Sequence, residues 1–98
     1  MQLDARMQWF VDSLGDAGPP EALSGALLGC WHALRGEWRA AHDAVQAASD
    51  GDRWVHAALH RQEGDHANAR YWYDRAGRPV ATGASRREFL AIAARLLA

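Results

Sequence analysis

Slid against itself by 28 residues, the chain meets its own pattern: His32 falls on His60, Gly36 on Gly64, Ala41 on Ala69 and Ala48 on Ala76. Gly29 falls on Ala57 and Glu37 on Asp65, so small and acidic positions agree as well. A fixed period of this size is the mark of stacked structural repeats, each too small to bury its own apolar face. It predicts a short array of helical hairpins, a scaffold that binds more often than it catalyses. The period does not specify a reaction or a partner.

With 98 residues the chain has room for one domain and a modest core. Much of its apolar content is alanine, so bulk must come from five tryptophans: Trp9, Trp31, Trp38, Trp54 and Trp72. Eleven basic residues, all arginine, face twelve acidic ones, and this balance offers no argument for nucleic acid or for a membrane surface. No stretch approaches the length and apolarity of a membrane span, and the first residues carry no targeting pattern. The expectation is a cytoplasmic protein. A lone Cys30 in an apolar run reads as a small core residue.

Helical spacing dominates the chain, and no segment sustains period-two alternation. Leu3, Met7, Phe10, Val11 and Leu14 predict an N-terminal helix over 1–14, ended by Gly15. After the break at Gly-Pro-Pro, hairpin 1 is expected over 21–49, with one helix starting near Glu21, a turn at Gly36 and a second helix from Glu37 to Ala48. Gly25 and Gly29 lie four apart on one face of the first helix and read as close packing contacts. Hairpin 2 is expected over 53–77, turning at Gly64, with Asp65 as N-cap and Gly77 as the stop. Ser85 and Glu88 have capping-box spacing and open a C-terminal helix over 85–97. The fold class is all-α: two hairpins flanked by a helix at each end, about six helices in all.

The unit of helix, glycine turn and helix resembles the tetratricopeptide repeat (TPR). Leu28-Gly29, His32, Ala41 and Val45 stand at its L-G, tyrosine, alanine and phenylalanine places in the first unit. His56-Ala57, His60, Ala69, Tyr73 and Pro79 stand there in the second. The period of 28 is shorter than the 34 residues of that family, and Trp54 and Pro79 are displaced from its tryptophan and proline places. The run from Trp54 to Tyr73 is also similar to a segment of uncharacterised bacterial and fungal proteins. The resemblance implies a protein- or peptide-binding module whose groove is lined by the first helix of each hairpin. Trp54 and Arg61 share a face of such a helix, so Trp54, Arg61, Gln62 and Tyr71 are the candidate groove residues, with Arg61 able to fork a carboxylate.

A second reading rests on histidine. His56 and His60 lie one turn apart, Glu63 follows, and His32 occupies the place of His60 one repeat earlier. If equivalent helices are neighbours, His32, His56, His60 and Glu63 could hold zinc or another transition metal. The competing account makes these imidazoles semi-polar filler between helices. His42 and His66 are expected at the surface, without companions. No nucleophile elbow or phosphate loop is present, so enzymatic activity would have to come from the histidine cluster, and no cofactor is required by the interaction-module reading. Phe89, Leu90, Leu96 and Leu97 leave a homodimer as a third possibility.

Overall fold

A computed structural model describes residues 4–98. It contains six helices: α1 (Ala5–Ser13), α2 (Gly25–Leu34), α3 (Trp38–Ala44), α4 (Asp50–Gln62), α5 (His66–Ala76) and α6 (Ser85–Leu97). The fold is all-α, with no strand among the described residues. None of these helices is long and apolar enough to cross a membrane. Leu3, expected in the first helix, lies outside the described residues.

The period of the chain reappears as two hairpins, α2–α3 and α4–α5, each built on the same three positions. In the first, a Cβ on Gly29 would lie 2.7 Å from Val45 Cγ1 and 3.5 Å from the Ala41 carbonyl oxygen. In the second, the equivalent Ala57, Ala69 and Tyr73 form a buried cluster of their own. The turns match as well. In the first, Gly36 N–H donates to the Ala33 carbonyl and Glu37 N–H to the His32 carbonyl. In the second, Gly64 N–H donates to the Arg61 carbonyl and Asp65 N–H to the His60 carbonyl. This paired pattern, with Gly36 at φ 77° and Gly64 at φ 89°, is the Schellman ending that places glycine after a helix.

Hairpin 2 packs on hairpin 1 through α2 and α4, with α3 touching α4 at the outer edge. The C-terminal helix does not extend the array. It folds back across both first helices, α2 and α4, burying Phe89, Ile92 and Ala93 in the main core beside Trp31, Val55 and Leu59. Leu90, Leu96 and Leu97, weighed above as a dimer surface, are half-buried against that same core. At the other end, α1 buries Met7 and Phe10. It is joined to α2 by the Trp31 indole N–H, which donates to Ser13 Oγ at 3.0 Å.

Several element boundaries differ from expectation, and one expected cap is not made. α2 begins at Gly25, because Pro20 to Ser24 form a turn that turns Leu23 into the core. α3 stops at Ala44: Val45 leaves helical geometry (φ −111°) with its side chain fully buried, and Ala48 takes a φ of 63°. α4 starts three residues early, since Ser49 Oγ accepts from Asp52 N–H and caps it there. Glu88 makes no capping box. It is buried and turned inward, and the N-cap of α6 is Ala84.

Gly29 is the tightest of these contacts, because Val55 Cγ1 from α4 also lies 3.1 Å from its hypothetical Cβ. Valine has little χ1 freedom with which to yield. Gly29→Ala is expected to lose up to about 2 kcal/mol, overpacking of about 1–3 kcal/mol outweighing a helix-propensity gain of about 1 kcal/mol. In a Val45→Ala background the same change should be neutral or stabilising. Urea unfolding of the four proteins of this cycle checks both expectations, and equal costs in the two backgrounds would show that Gly29 is not a packing contact.

Candidate functional site

The seam between the hairpins carries a stripe of polar aromatic side chains. Trp38 and His42 lie one turn apart on α3, His56 and His60 one turn apart on α4, and Trp72 faces them from α5. Their rings form one continuous assembly. Trp38 stacks on His42 at 5.0 Å, His42 meets His56 edge-on at 4.6 Å, and His56 stacks on Trp72 at 4.0 Å with their planes 12° apart. The Trp38 indole N–H fixes α3 to α4 by donating to the Leu59 carbonyl at 3.0 Å.

Within this stripe His42, His56 and His60 converge, with one ligand nitrogen from each lying within 4.8 Å of the others. His42 Nε2 and His56 Nε2 are 3.0 Å apart. Two imidazole nitrogens at that distance share one proton, one ring donating and the other accepting. The Gln46 amide assigns the roles: it donates to the His42 carbonyl at 2.7 Å and approaches His42 Nδ1 at 3.3 Å. His42 Nδ1 therefore accepts, and His42 Nε2–H donates to His56 Nε2. On the third ring, His60 Nδ1 lies 2.7 Å from Glu63 Oε1, so the carboxylate accepts the Nδ1–H hydrogen bond and Nε2 carries the lone pair. Asn68 Nδ2 sits 3.3 Å from that nitrogen.

Burial sets the electrostatics. His56 and His60 are buried and His42 is partly open, giving the trio one side toward solvent. Desolvation, followed by repulsion from His42 and His60, pushes the His56 imidazole down to about 4. His42 is lowered for the same reason, desolvation first and His60 second. Three imidazoles held together, one with a carboxylate behind it, form a donor set suited to zinc, copper, nickel or iron.

His56, His60 and Glu63 come together. His32 does not join them, because its Nδ1 is held by Glu37 Oε1 at 2.8 Å inside its own hairpin. His42, expected as a lone surface residue, takes that place. Glu63 also belongs to a second trio with His60 and Asp65 at the surface, where the Asp65 carboxylate accepts from Asn68 N–H and caps α5. His66 is exposed at the start of α5.

Arg61 finds its carboxylate inside the chain. Its Nε donates to Glu88 Oε1 at 2.9 Å and its Nη1 to the Gly83 carbonyl at 3.0 Å, while the Tyr73 hydroxyl donates to Glu88 Oε2. Desolvation, reinforced by the Glu88 hydrogen bond and charge, raises the Tyr73 phenol. Gln62 is exposed, Tyr71 lies at the surface with Arg75 above its ring, and Trp54 lies beneath Arg78. Trp72 stacks on His56. Cys30 is fully buried, and burial raises its thiol far from reactivity. Comparison with family models, curated proteins and solved structures finds no match for the chain.

The lowered His56 makes stability depend on pH with a definite sign. The unfolded chain protonates His56 near 6.5 and the folded chain only near 4, so the unfolded state holds more protons between those values. Stability from this residue is complete above pH 6.5 and declines as pH falls toward 4, with a slope of up to about 1.4 kcal/mol per pH unit. Urea unfolding from pH 7.5 to 4.5 should show this slope in the wild type and a shallower one in His56→Gln. Parallel profiles would mean that the ring titrates normally.

Proposed function

We propose that this protein binds a transition-metal ion, with zinc the leading candidate, through His42, His56 and His60. The observation that carries the proposal is the convergence of three imidazoles on one spot, with His42 Nε2 and His56 Nε2 already 3.0 Å apart. Zinc–nitrogen bonds of about 2.0–2.1 Å put tetrahedral ligand nitrogens roughly 3.3 Å apart. The first pair meets that spacing, and the third ring closes by at most roughly 1.5 Å to join it.

A cation here would require His42 in its other tautomer: the ring's single proton would move from Nε2 to Nδ1, leaving a lone pair on Nε2 to face the ion beside that of His56. Gln46, beside Nδ1, would then no longer donate to that nitrogen. Glu63, behind His60 Nδ1, would fix that ring and strengthen its lone pair, as carboxylates do behind ligating histidines. The partly open side at His42 would leave room for water or a small ligand beside the ion.

In this reading the TPR-like hairpins act as the frame that juxtaposes α3 and α4, in a cytoplasmic protein. A peptide groove along the first helices has less support: α6 lies across α2 and α4, and Glu88 already holds Arg61.

Protein purified without a histidine tag should take up one equivalent of Zn²⁺ or Co²⁺ in calorimetric titration, and the Co²⁺ form should show visible d–d bands. His56→Gln should abolish uptake, Glu63→Gln should weaken it about 10- to 100-fold, and His32→Gln should leave it unchanged. Cu²⁺ or Ni²⁺ should also quench tryptophan emission through Trp38 and Trp72, whereas Zn²⁺ should not. Absence of stoichiometric uptake, or uptake indifferent to His56, refutes the site.

A further inference from the structure

A second site lies on the other side of α4, independent of the imidazoles. The α5–α6 connection, from Arg78 to Ala84, arches over Trp54 and leaves a cleft of about 420 Å³ between itself and the start of α6. That volume is within the ordinary range for small-molecule pockets. Its lining is mainly apolar, with Pro79, Val80 and Ala91 beside the Trp54 ring, and Val80 is half-exposed at the rim.

Two cations face this cleft, Arg78 and Arg87. The Arg78 guanidinium carbon lies over Trp54, 3.9 Å from the ring centroid. A guanidinium in cation–π contact with a ring still has N–H donors to offer an anion. Among the described residues neither Arg78 nor Arg87 has an ion-pair partner, in contrast to Arg35, Arg53 and Arg61. The one acid in the lining, Glu88, has both oxygens occupied by Arg61 and Tyr73, and the Arg61 charge offsets its own. The cleft thus combines an aromatic wall, an apolar floor and two unneutralised arginines.

We propose that this cleft binds an organic carboxylate with an apolar body, either a free aromatic or branched acid or the carboxyl end of a peptide. Arg78 forks the carboxylate while held rigid on Trp54, so little freedom is lost when the bidentate bonds form. Arg87 supplies the second charge, and the apolar part of the ligand covers Val80 and the Trp54 edge.

The test follows the Trp54 indole N–H resonance in ¹H–¹⁵N spectra during titration with phenylacetate, its neutral counterpart phenylacetamide, and N-acetylphenylalanine. Phenylacetate should give a saturable shift with a dissociation constant in the millimolar range or tighter, and phenylacetamide should bind at least about tenfold more weakly. N-acetylphenylalanine binding more tightly than phenylacetate identifies the peptide terminus as the source; the reverse order identifies the free acid. Arg87→Gln, a change at an exposed position, should weaken phenylacetate several-fold without altering the fold. Arg78→Lys keeps the charge but loses the fork, and should weaken it further. No saturation, equal affinity for the amide, or indifference to both arginine changes overturns the proposal. Zn²⁺ uptake should be unaffected by these variants, so failure here and failure at the imidazole site are separately visible.

Discussion

Three helices meet at Gly29, and the space there admits no side chain. Val45 reaches it from the end of α3 and Val55 from α4, both fully buried. Because the contact is backbone against branched side chains, it fixes how closely hairpin 2 can sit on hairpin 1. Close packing of this kind leaves little room for gradual adjustment. His42 and His56 flank the contact, three residues before Val45 and one after Val55 respectively. Their 3.0 Å approach therefore depends on the same spacing. The Trp38 indole bond to the Leu59 carbonyl pins the far end of the seam. Packing and polar chemistry here are one arrangement, seen on adjoining faces of the same two helices.

The repeat explains part of the site and leaves the rest to chance differences between its copies. His32 and His60 occupy the same place in the Schellman turn, each giving its carbonyl to the residue after the glycine. Each also gives its ring Nδ1 to a nearby carboxylate, Glu37 in one hairpin and Glu63 in the other. Histidine beside an acid is thus a feature of the unit. What distinguishes the second copy is its surroundings: α3 lies against α4 with His42, and His56 adds a further ring. Among the described residues the element before α2 is α1, joined there through Trp31 and Ser13, and it brings no histidine to His32.

The period, the Asp65 cap and the glycine turns were legible because they are local. Asp65 caps α5 and Gly77 closes it in a left-handed conformation, as their residue types demand. Tyr73 was legible as core from its spacing to Ala69, and it is buried with it. His42 was not, because sliding the chain on itself compares equivalent positions, whereas the seam joins the second helix of one hairpin to the first of the next. A signal existed in the stripe Trp38, His42, Val45, spaced as a buried helix face is spaced. Arg61 was read as a groove residue free to fork a ligand's carboxylate, because a repeat array leaves its first helices open. The fold-back of α6 closes that face, and Glu88, 27 residues away, supplies the partner. Contacts made by a non-repeating helix have no echo in the period, which is why Glu88 passed for a capping residue.

Alanine-rich helices gain little from burial, and this chain compensates by stacking flat rings along the seam. Imidazole is an apt filler there only while uncharged, since a buried cation without a partner is strongly disfavoured. The desolvation that holds His56 down to about 4 is therefore a condition of the packing. It has a second consequence. A ring that resists protons keeps its lone pair at pH values where an ordinary histidine would be largely protonated, and protons are the chief competitor of a metal ion for that pair. Burial among Trp72 and the neighbouring imidazoles keeps the His56 lone pair available at the same time as it joins the hairpins, so the property that makes the seam sensitive to acid is the one the proposed metal site would draw on.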